Sequence, residues 1–291
     1  MGVRTQINID EIKRLLPNFD IMDMQATTDG ISDTTYILED RNNIKYILKI
    51  YEFASLEEVE NEIKILNNLS NLSVPKYLDI NTTYQNKPVA LFSYIEGKSL
   101  NEIKICHIEK IGKFLGKFHN ISKNLTSIND NIYNQTHLKL YIDNIIKSNK
   151  VNSDVKNMFM EKYKEIENLN LDINGVIHGD LFPDNAKFID CKLSGVFDFI
   201  ESCNGNFAFD LSVVINSWCF IENNLEESYL NTILENYNEE APIKFSKNLI
   251  KKYMKYASLF YAIQRFHTKY IEKRAVNVKD YMEYIIKYEN I

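Results

Sequence analysis

Cysteine is scarce in this chain, with four residues among 291. The four are scattered and form no Cys-x-x-Cys pair. In a chain of this length, such spacing argues against a disulfide scaffold and against a zinc site, and it fits the reducing cytoplasm. We therefore expect a cytoplasmic protein without either kind of site at its four cysteines, Cys106, Cys191, Cys203 and Cys219.

Long apolar runs and an excess of basic residues are also missing. No apolar run approaches the roughly 18 residues that mark a membrane span, and the N-terminus lacks the apolar segment of a signal peptide. The net charge of −6 provides no basic footprint for DNA or RNA. We expect neither a membrane nor a nucleic acid as a partner, and the sequence does not indicate an oligomeric state.

Glycine is sparse too, and the nine glycines form no Walker A or Gly-x-Gly-x-x-Gly pattern. A single glycine, Gly30, lies in the polar segment 28–34. Ser32 in the same segment has a hydroxyl that can donate to phosphate oxygens. An ordinary hairpin turn explains the segment equally well, so Gly30 and Ser32 are candidate nucleotide-binding residues with that alternative open.

The pattern of apolar residues predicts an α+β fold that changes from mainly β-strands to mainly helices near Gly97. Hydrophobic periodicity predicts a small β-rich lobe over 1–97 and a larger, mostly helical lobe over 98–291. The first lobe has predicted helices at 10–16 and 56–69 and strands at 22–28, 34–39, 45–51 and 89–95. The second has predicted helices at 103–119, 138–148, 154–169, 209–222, 225–236, 245–273 and 278–288.

The segment 176–185 carries the densest chemistry of the chain. An apolar strand ends in His178-Gly179-Asp180, Asn185 follows five positions after the aspartate, and Asp198 lies in a second apolar strand. This order is typical of kinases, in which one carboxylate accepts the proton of the acceptor hydroxyl, while an amide and a second carboxylate bind Mg²⁺. We predict Asp180 as the catalytic base and Asn185 and Asp198 as metal ligands. The alternative is that these side chains only cap and turn a loop.

A lysine in the small lobe completes the expected nucleotide site. Lys49 lies at the end of an apolar strand, where its ammonium can neutralise the ATP phosphates; a solvent-facing edge lysine is the alternative. Glu62 on the following helix is its predicted partner, with Glu58 as second choice. The segment 91–97 is the predicted hinge, in which backbone groups of Ser93 and Ile95 would bind the adenine edge.

Two further polar residues have roles that the sequence leaves open. His178 is adjacent to the catalytic loop and is a candidate catalytic residue, although an imidazole there is better suited to holding the loop through backbone bonds. Asp210 in the segment 207–211 either caps the following helix or hydrogen-bonds the catalytic loop.

With these residues in place, the chain resembles the aminoglycoside phosphotransferase and choline kinase superfamily, which has a protein-kinase-like two-lobe fold. Within it, the sequence is most similar to the bacterial homoserine kinases. The similarity spans nearly the whole chain and includes the segments 30–38, 178–185, 198–204 and 210–220. The resemblance implies ATP- and Mg²⁺-dependent phosphorylation of the side-chain hydroxyl of L-homoserine, a step of threonine biosynthesis.

The same resemblance implies a site for a small zwitterion. Arg265 is the candidate for the substrate carboxylate, because a guanidinium binds it bidentately; an arginine snorkelling from a buried helix is the alternative. Glu201 or Asp33 is expected to contact the ammonium, and Trp218 either walls the pocket or packs in the core.

Two departures from the family pattern concern the acceptor more than phosphoryl transfer. The phosphate loop has Ser-Asp-Thr-Thr where a Glu-Asn pair is expected, and Lys269 stands where a second arginine is usual. Another small-molecule kinase of this fold, acting on an aminoglycoside, choline or a sugar, is therefore the second hypothesis. A catalytically inactive kinase fold that only binds is the third, and the presence of Lys49 and the three motif residues disfavours it.

Overall fold

A computed structural model describes residues 4–27, 33–78, 82–273 and 280–291. The chain forms two compact units. The first comprises Met1–Lys98, Lys187–Asp190 and Ser194–Ile200, and the second comprises Ser99–Ala186, Cys191–Leu193 and Glu201–Ile291. The assignment of nucleotide binding to 1–97 and of acceptor binding to 98–291 stays a prediction, because it concerns ligands and not the fold.

The described part of the first unit consists of an antiparallel sheet and two helices. In chain order these are helix α1 (Ile9–Leu15), strands β1 (Ile21–Ala26), β2 (Thr34–Asp40) and β3 (Lys45–Ile50), helix α2 (Leu56–Asn68), and strands β4 (Thr82–Tyr84) and β5 (Lys87–Ser93). The sheet order is β1-β2-β3-β5-β4, and every neighbouring pair is antiparallel. The predicted elements are confirmed, and the short strand β4 is an addition to them.

Alternating side chains explain how this sheet acquires its core. Tyr36 and Leu38 on β2, and Leu48 and Ile50 on β3, are buried and belong to one hydrophobic cluster. Ile12 of helix α1 joins the same cluster. The period of two places these strand residues on one face, so the opposite face is left to carry polar side chains such as Lys49.

Among the described residues, seven helices make up most of the second unit. They are α3 (Ile105–Ser122), α4 (Gln135–Lys147), α5 (Ser153–Ile166), α6 (Phe207–Trp218), α7 (Glu227–Glu240), α8 (Lys247–Phe266) and α9 (Met282–Glu289). Helix α6 is buried along almost its whole length, so it forms the centre of this unit. Within the four described ranges, no helix is both long enough and apolar enough to cross a membrane.

Short strands in the segment 175–225 present the motif residues. They are β6 (Gly175–Ile177), β7 (Ala186–Ile189), β8 (Lys192–Val196), β9 (Cys203–Gly205), β10 (Phe220–Ile221) and β11 (Asn224–Leu225). Strand β6 pairs with β9, and β7 pairs with β8 in a hairpin. A 3₁₀ turn over Pro183–Asn185 joins the catalytic loop to that hairpin.

Two predicted helices end earlier than their patterns indicate. The helix predicted to reach 222 ends at Trp218, because Glu222 and Asn223 adopt left-handed backbone with φ of 49° and 66° and turn the chain between β10 and β11. The helix predicted over 245–273 ends at Phe266 and is followed by a π-helical turn, His267–Ile271. The start of the last predicted helix at 278 lies outside the described residues.

The cysteine spacing led to a wrong expectation at one pair. Cys106 and Cys191 form a disulfide with a Cα–Cα distance of 5.6 Å, whereas Cys203 and Cys219 are buried free thiols. The bonded pair is separated by 85 positions in the sequence. Spacing alone could not reveal it, since the contact depends on the tertiary placement of helix α3 and the β7–β8 turn.

Candidate active site

Lys49 is the centre of a charged cluster in the first unit. Its Nζ lies 2.8 Å from Asp198 Oδ1 and 3.3 Å from Asp33 Oδ2, and its side chain is only 13% exposed. It also lies over the ring of Tyr51 at 4.6 Å from the centroid. The alternative of a solvent-facing edge lysine is therefore wrong, and the ammonium is held by carboxylates on a polar face of the sheet.

The partner of Lys49 differs in detail from the prediction. Glu62 is buried on helix α2 and accepts hydrogen bonds from the Tyr51 hydroxyl at 2.5 Å and from the Phe199 backbone N–H at 2.9 Å. Its carboxylate contributes charge near Lys49, while the ion pairs of Lys49 are those with Asp33 and Asp198. Glu58, the second choice, instead forms a capping box with Ser55 at the start of α2.

The electrostatics of this cluster favour a charged lysine. Burial by itself would lower the pKa of Lys49, but the carboxylates of Asp198, Glu62 and Asp33 outweigh it and raise the pKa above its ordinary value. Burial raises the pKa of Glu62, and the nearby ammonium opposes that rise. The cluster thus keeps a permanent cation at the place where the sequence predicts phosphate binding.

Asp198 follows strand β8 in an uncommon backbone conformation. Its φ of 69° lies in the left-handed region, which non-glycine residues rarely adopt and which occurs preferentially at functional sites. The side chain is about one third exposed. Its Oδ1 accepts the bond from Lys49, and carboxylate oxygens are ligands that a hard cation such as Mg²⁺ prefers.

The second unit holds the catalytic loop that follows strand β6. Asp180 is partly exposed, and Asn185 donates from Nδ2 to the backbone carbonyl of Asp180 at 2.7 Å and to its Oδ2 at 3.1 Å. Both bonds use the amide nitrogen of Asn185. Its amide oxygen is therefore the atom suited to bind a hard cation.

Bonds from the core fix the backbone of this loop. Gly179 has a φ of +78°, and a Cβ there would lie 2.7 Å from the ring of Tyr133, so only glycine fits. The Tyr261 hydroxyl donates to the Gly179 carbonyl at 2.7 Å, and Trp218 Nε1 donates to the Leu181 carbonyl at 3.0 Å. The loop is thus held from helices α6 and α8 as well as from its own strand.

A buried carboxylate anchors the other side of the loop. Asp210 on α6 accepts the backbone N–H groups of His178 at 3.0 Å and of Gly179 at 2.8 Å. Of the two roles open for Asp210, the structure shows the second, hydrogen bonding to the loop. His178 is fully buried, and its Nδ1 accepts the Asp180 N–H at 3.3 Å. This burial and this bond favour the interpretation that His178 holds the loop, and a catalytic role for it stays a prediction.

His119 is the buried partner of Asp210, and its bond helps to keep the Asp210 carboxylate ionised. Its Nε2 lies 2.9 Å from Asp210 Oδ2, and its Nδ1 lies 2.7 Å from the Tyr237 hydroxyl. Burial lowers the pKa of His119, although Asp210 opposes this. Burial would raise the pKa of Asp210, but the bonds from His119 and His178 hold it below its ordinary value. The pair is therefore a neutral imidazole, protonated on Nε2, that donates to a carboxylate.

A cavity of about 350 Å³ in the second unit adjoins the catalytic loop. Arg265 Nη1 donates to Glu283 Oε2 at 2.9 Å, and Lys287 Nζ donates to Glu283 Oε1 at 3.0 Å. Arg265 also stacks over the ring of Tyr284 at 4.4 Å, so it belongs to an ion-pair network and is not merely snorkelling. The cavity is lined by Ser99, Leu100, Phe182, Pro183, Asp184, Ser217, Arg265, Glu283, Tyr284 and Lys287.

The other predicted acceptor residues are not among the residues that line this cavity. Asp33 pairs with Lys49 and accepts the Glu52 N–H at 3.0 Å, so it belongs to the first unit's cluster. Glu201 accepts the Tyr133 hydroxyl at 3.2 Å. Trp218 is 1% exposed and supports the catalytic loop through its bond to the Leu181 carbonyl. Its burial favours the packing alternative and leaves it almost no surface for an acceptor.

The predicted nucleotide contacts fall partly outside the described structure. Gly30 and Ser32 are not among the described residues. Ser93 ends strand β5, where its hydroxyl accepts the Lys76 N–H at 2.9 Å. Ile95 packs against Gly195, and its carbonyl accepts Lys187 Nζ at 3.5 Å. The adenine contact predicted for the backbone of Ser93 and Ile95 stays a prediction.

Sequence reasoning missed several residues around the loop and the cavity. Glu283 and Lys287 are four positions apart on a helix, which is a recognisable ion-pair spacing, but it is also common on exposed helices. Tyr133 and Tyr261 are two among 18 tyrosines, and no local pattern distinguishes them. Their contacts depend on the tertiary fold.

Comparisons with known proteins show which family the chain belongs to. A family model described as "Phosphotransferase enzyme family" matches residues 23–243. The chain is 26% identical over 264 residues to a homoserine kinase of Parvibaculum lavamentivorans, which covers 84% of this chain and 80% of that protein.

Solved structures share the fold at low sequence identity. A choline kinase from Streptococcus pneumoniae has a TM-score of 0.65 at 18% identity and covers 96% of this chain and 95% of its own. An amicoumacin kinase, in complex with AMP-PNP and Ca²⁺, has a TM-score of 0.68 at 14% identity and covers 98% and 92%. These likenesses confirm the predicted protein-kinase-like α+β fold. Together with the family match, they show that the chain is an enzyme, a phosphotransferase with an alcohol group as acceptor, and that it belongs to the phosphotransferase enzyme family.

Proposed function

We propose that this enzyme transfers the γ-phosphoryl group of ATP to the side-chain hydroxyl of L-homoserine in a Mg²⁺-dependent reaction, with O-phospho-L-homoserine as product. The name of the relative at 26% identity supports this acceptor. The observation that carries the proposal is the mixed-charge cavity beside the catalytic loop, since a small zwitterion needs both signs of charge.

The first unit's cluster suits the nucleotide. Lys49 would neutralise the phosphates, because its ammonium is held charged by Asp198 and Asp33. Asp198 and Asn185 would hold Mg²⁺, and both offer the hard oxygen atoms that this ion prefers. A bound Mg²⁺ supplies positive charge that offsets the charge developing on the phosphoryl oxygens.

Asp180 would act on the acceptor. The substrate hydroxyl oxygen forms a bond to the γ-phosphorus while the bond from that phosphorus to the leaving oxygen of ADP breaks, and the hydroxyl proton passes to the Asp180 carboxylate. Asn185 holds this carboxylate at 3.1 Å, and the anchored backbone restricts where it points. A fixed base loses less freedom in reaching the transition state than a mobile one does.

The cavity suits an amino acid better than a polycation. Arg265 and Lys287 bring two positive charges and Glu283 and Asp184 bring two negative charges to its lining. Arg265 would bind the carboxylate, since its described bonds use only Nη1 and a guanidinium has five donors. Asp184 would bind the ammonium, because Glu283 already bridges two cations. An aminoglycoside would meet Arg265 and Lys287 as like charges.

A coupled ADP-release assay tests the acceptor. Purified protein with Mg²⁺ and ATP is given L-homoserine, L-serine, choline, kanamycin or a sugar, with ATP-free reactions as blanks. We expect saturable turnover with L-homoserine and identification of its phosphate ester by mass spectrometry. Turnover with another acceptor and none with L-homoserine would refute the proposed substrate while keeping the phosphotransferase.

A further inference from the structure

The Cys106–Cys191 pair belongs to no part of the proposed reaction and forms a site of its own. Cys106 lies in the first turn of helix α3, and Cys191 lies in the turn between β7 and β8. Their Cα–Cα distance of 5.6 Å is ordinary for a disulfide. The two side chains therefore need no change of backbone to form or to break their bond.

The two members of this pair differ in their surroundings. Cys191 is exposed at the hairpin turn, whereas Cys106 is partly buried. The first turn of α3 holds no acidic side chain, and the N-terminal end of a helix stabilises a thiolate. Thiol–disulfide exchange needs an accessible thiol that reacts with solutes and a second thiol nearby that can ionise. Cys191 and Cys106 meet these two requirements in turn.

The remaining cysteines provide an internal contrast. Cys203 and Cys219 are fully buried. Burial raises the pKa of the Cys203 thiol to about 12 and raises that of Cys219 further. Both therefore stay protonated and inaccessible, so reagents for thiols should distinguish them from the pair.

We propose that Cys106 and Cys191 are a reversible modification site that reacts with low-molecular-weight disulfides such as oxidised glutathione. The Cys191 thiolate attacks one sulfur of glutathione disulfide and releases one glutathione thiolate. The Cys106 thiolate then attacks the Cys191 sulfur of this mixed disulfide and releases the second. Two cysteine thiols are oxidised to one disulfide, two glutathione molecules are formed, and the two thiol protons pass to the released thiolates.

A metal ion is a less suitable occupant of the same place. One ligand atom from each of Cys106, His107 and Cys191 lies within 4.8 Å of the others. However, His107 is buried, and its Nδ1 already accepts the Lys104 N–H at 3.0 Å. The two sulfur atoms are bonded to each other, so the geometry favours a disulfide over a thiolate metal site.

The bond has a consequence for the stability of the chain. It joins helix α3 to the tip of the hairpin that follows Asn185, and it closes a loop spanning 85 positions. Cross-links of this length restrict the unfolded chain and so favour the folded one. The oxidised enzyme should therefore unfold at a higher temperature than the reduced enzyme, whether or not L-homoserine is its substrate.

Thiol counting on the full-length protein tests the site. Reduced, desalted protein is titrated with reduced and oxidised glutathione mixtures, alkylated, and examined by intact mass and peptide mapping. We expect the two thiols of Cys106 and Cys191 to disappear together, with no retained glutathionyl group, and the melting temperature to rise by several degrees. Added dithiothreitol should reverse both changes.

Variants separate the steps of the exchange. Cys106→Ser should trap one glutathionyl group on Cys191, and Cys191→Ser should acquire an adduct much more slowly. Cys219→Ser, the matched control, should oxidise as the wild type does. The proposal would be overturned if all thiols remained across the titration or if the wild type kept a stable mixed disulfide. It would also be overturned if one equivalent of Zn²⁺ protected the reduced pair from oxidation.

Discussion

Asp180 is partly exposed and accepts a hydrogen bond from the Asn185 amide at 3.1 Å. Replacing its carboxylate by an isosteric amide, Asp180→Asn, keeps the shape of the loop but removes the group that would take the proton. We expect kcat to fall by about 10²- to 10⁴-fold, while the affinity for ATP changes little, because the lost interaction belongs to the transfer step. Steady-state kinetics and nucleotide titration measure the two quantities.

The same exchange at an exposed turn provides the control. Asp190 has a left-handed φ of 49°, a conformation that asparagine adopts readily, so Asp190→Asn should keep wild-type kinetics. If Asp180→Asn also kept them, the assignment of the base would be wrong.

The partners of Lys49 show what a sequence can and cannot predict about one residue. Its strand and its cationic role near a helix glutamate followed from local pattern. Its ion pair with Asp198 joins positions 149 apart, and no spacing rule connects residues so distant. The sequence therefore predicted Glu62 as the partner, whereas the direct contacts are with Asp198 and Asp33.

At the scale of elements, periodicity predicted the strands and helices well because each buries one recognisable face. The prediction failed where single residues reverse the direction of the chain and where a feature depends on tertiary contacts. Helix α6 is buried along almost its whole length, and Phe220 and Ile221 continue its apolar pattern. The left-handed backbone at Glu222 and Asn223 instead turns the chain between β10 and β11. The disulfide between α3 and the β7–β8 turn was not predicted, because its cysteines are 85 positions apart in the sequence and meet only in the tertiary fold.

The contact between helices α3 and α6 at His119 and Asp210 predicts how the stability of the protein depends on pH. His119 is buried between Asp210, Tyr237 and Phe207, whose ring stacks on it at 4.0 Å. Its pKa is lowered in the folded chain, so below an unfolded pKa of about 6.5 the unfolded chain binds a proton that the folded chain does not. The free energy of unfolding should therefore decrease as pH falls from 7 to 5, by up to about 1.4 kcal/mol per pH unit from this residue.

His119→Gln should remove that contribution, because an amide can donate to Asp210 but does not titrate. Urea unfolding at a series of pH values measures the difference in slope between variant and wild type. Lys252→Ala, on the exposed side of α8, should retain the wild-type slope. An equal slope in the His119→Gln protein would contradict the neutral-imidazole assignment.

At the scale of the whole molecule, the net charge predicted that nucleic acid is not a partner, but it did not describe the site. The value of −6 averages over two local arrangements of opposite character. Around Lys49, three carboxylates surround one ammonium. Around Glu283, two cations share one carboxylate. Motif spacing predicted Lys49, Asp180, Asn185 and Asp198. Glu283 and Lys287 emerged only from the fold, since no fixed spacing marks the residues that line this cavity.

These two arrangements predict separable kinetic effects. Lys49→Met should mainly raise KM for ATP, because it removes the cation proposed for the phosphates. Arg265→Ala should raise KM for L-homoserine by about 10- to 100-fold, the loss expected for a charged hydrogen-bonded partner, and should leave KM for ATP nearly unchanged. The partners described for Lys49 differ from those of Arg265, so the double variant should combine both effects to within about twofold. Lys252→Ala on the same helix as Arg265 should change neither constant. Equal effects of Arg265→Ala on both constants would show that this arginine does not bind the acceptor carboxylate.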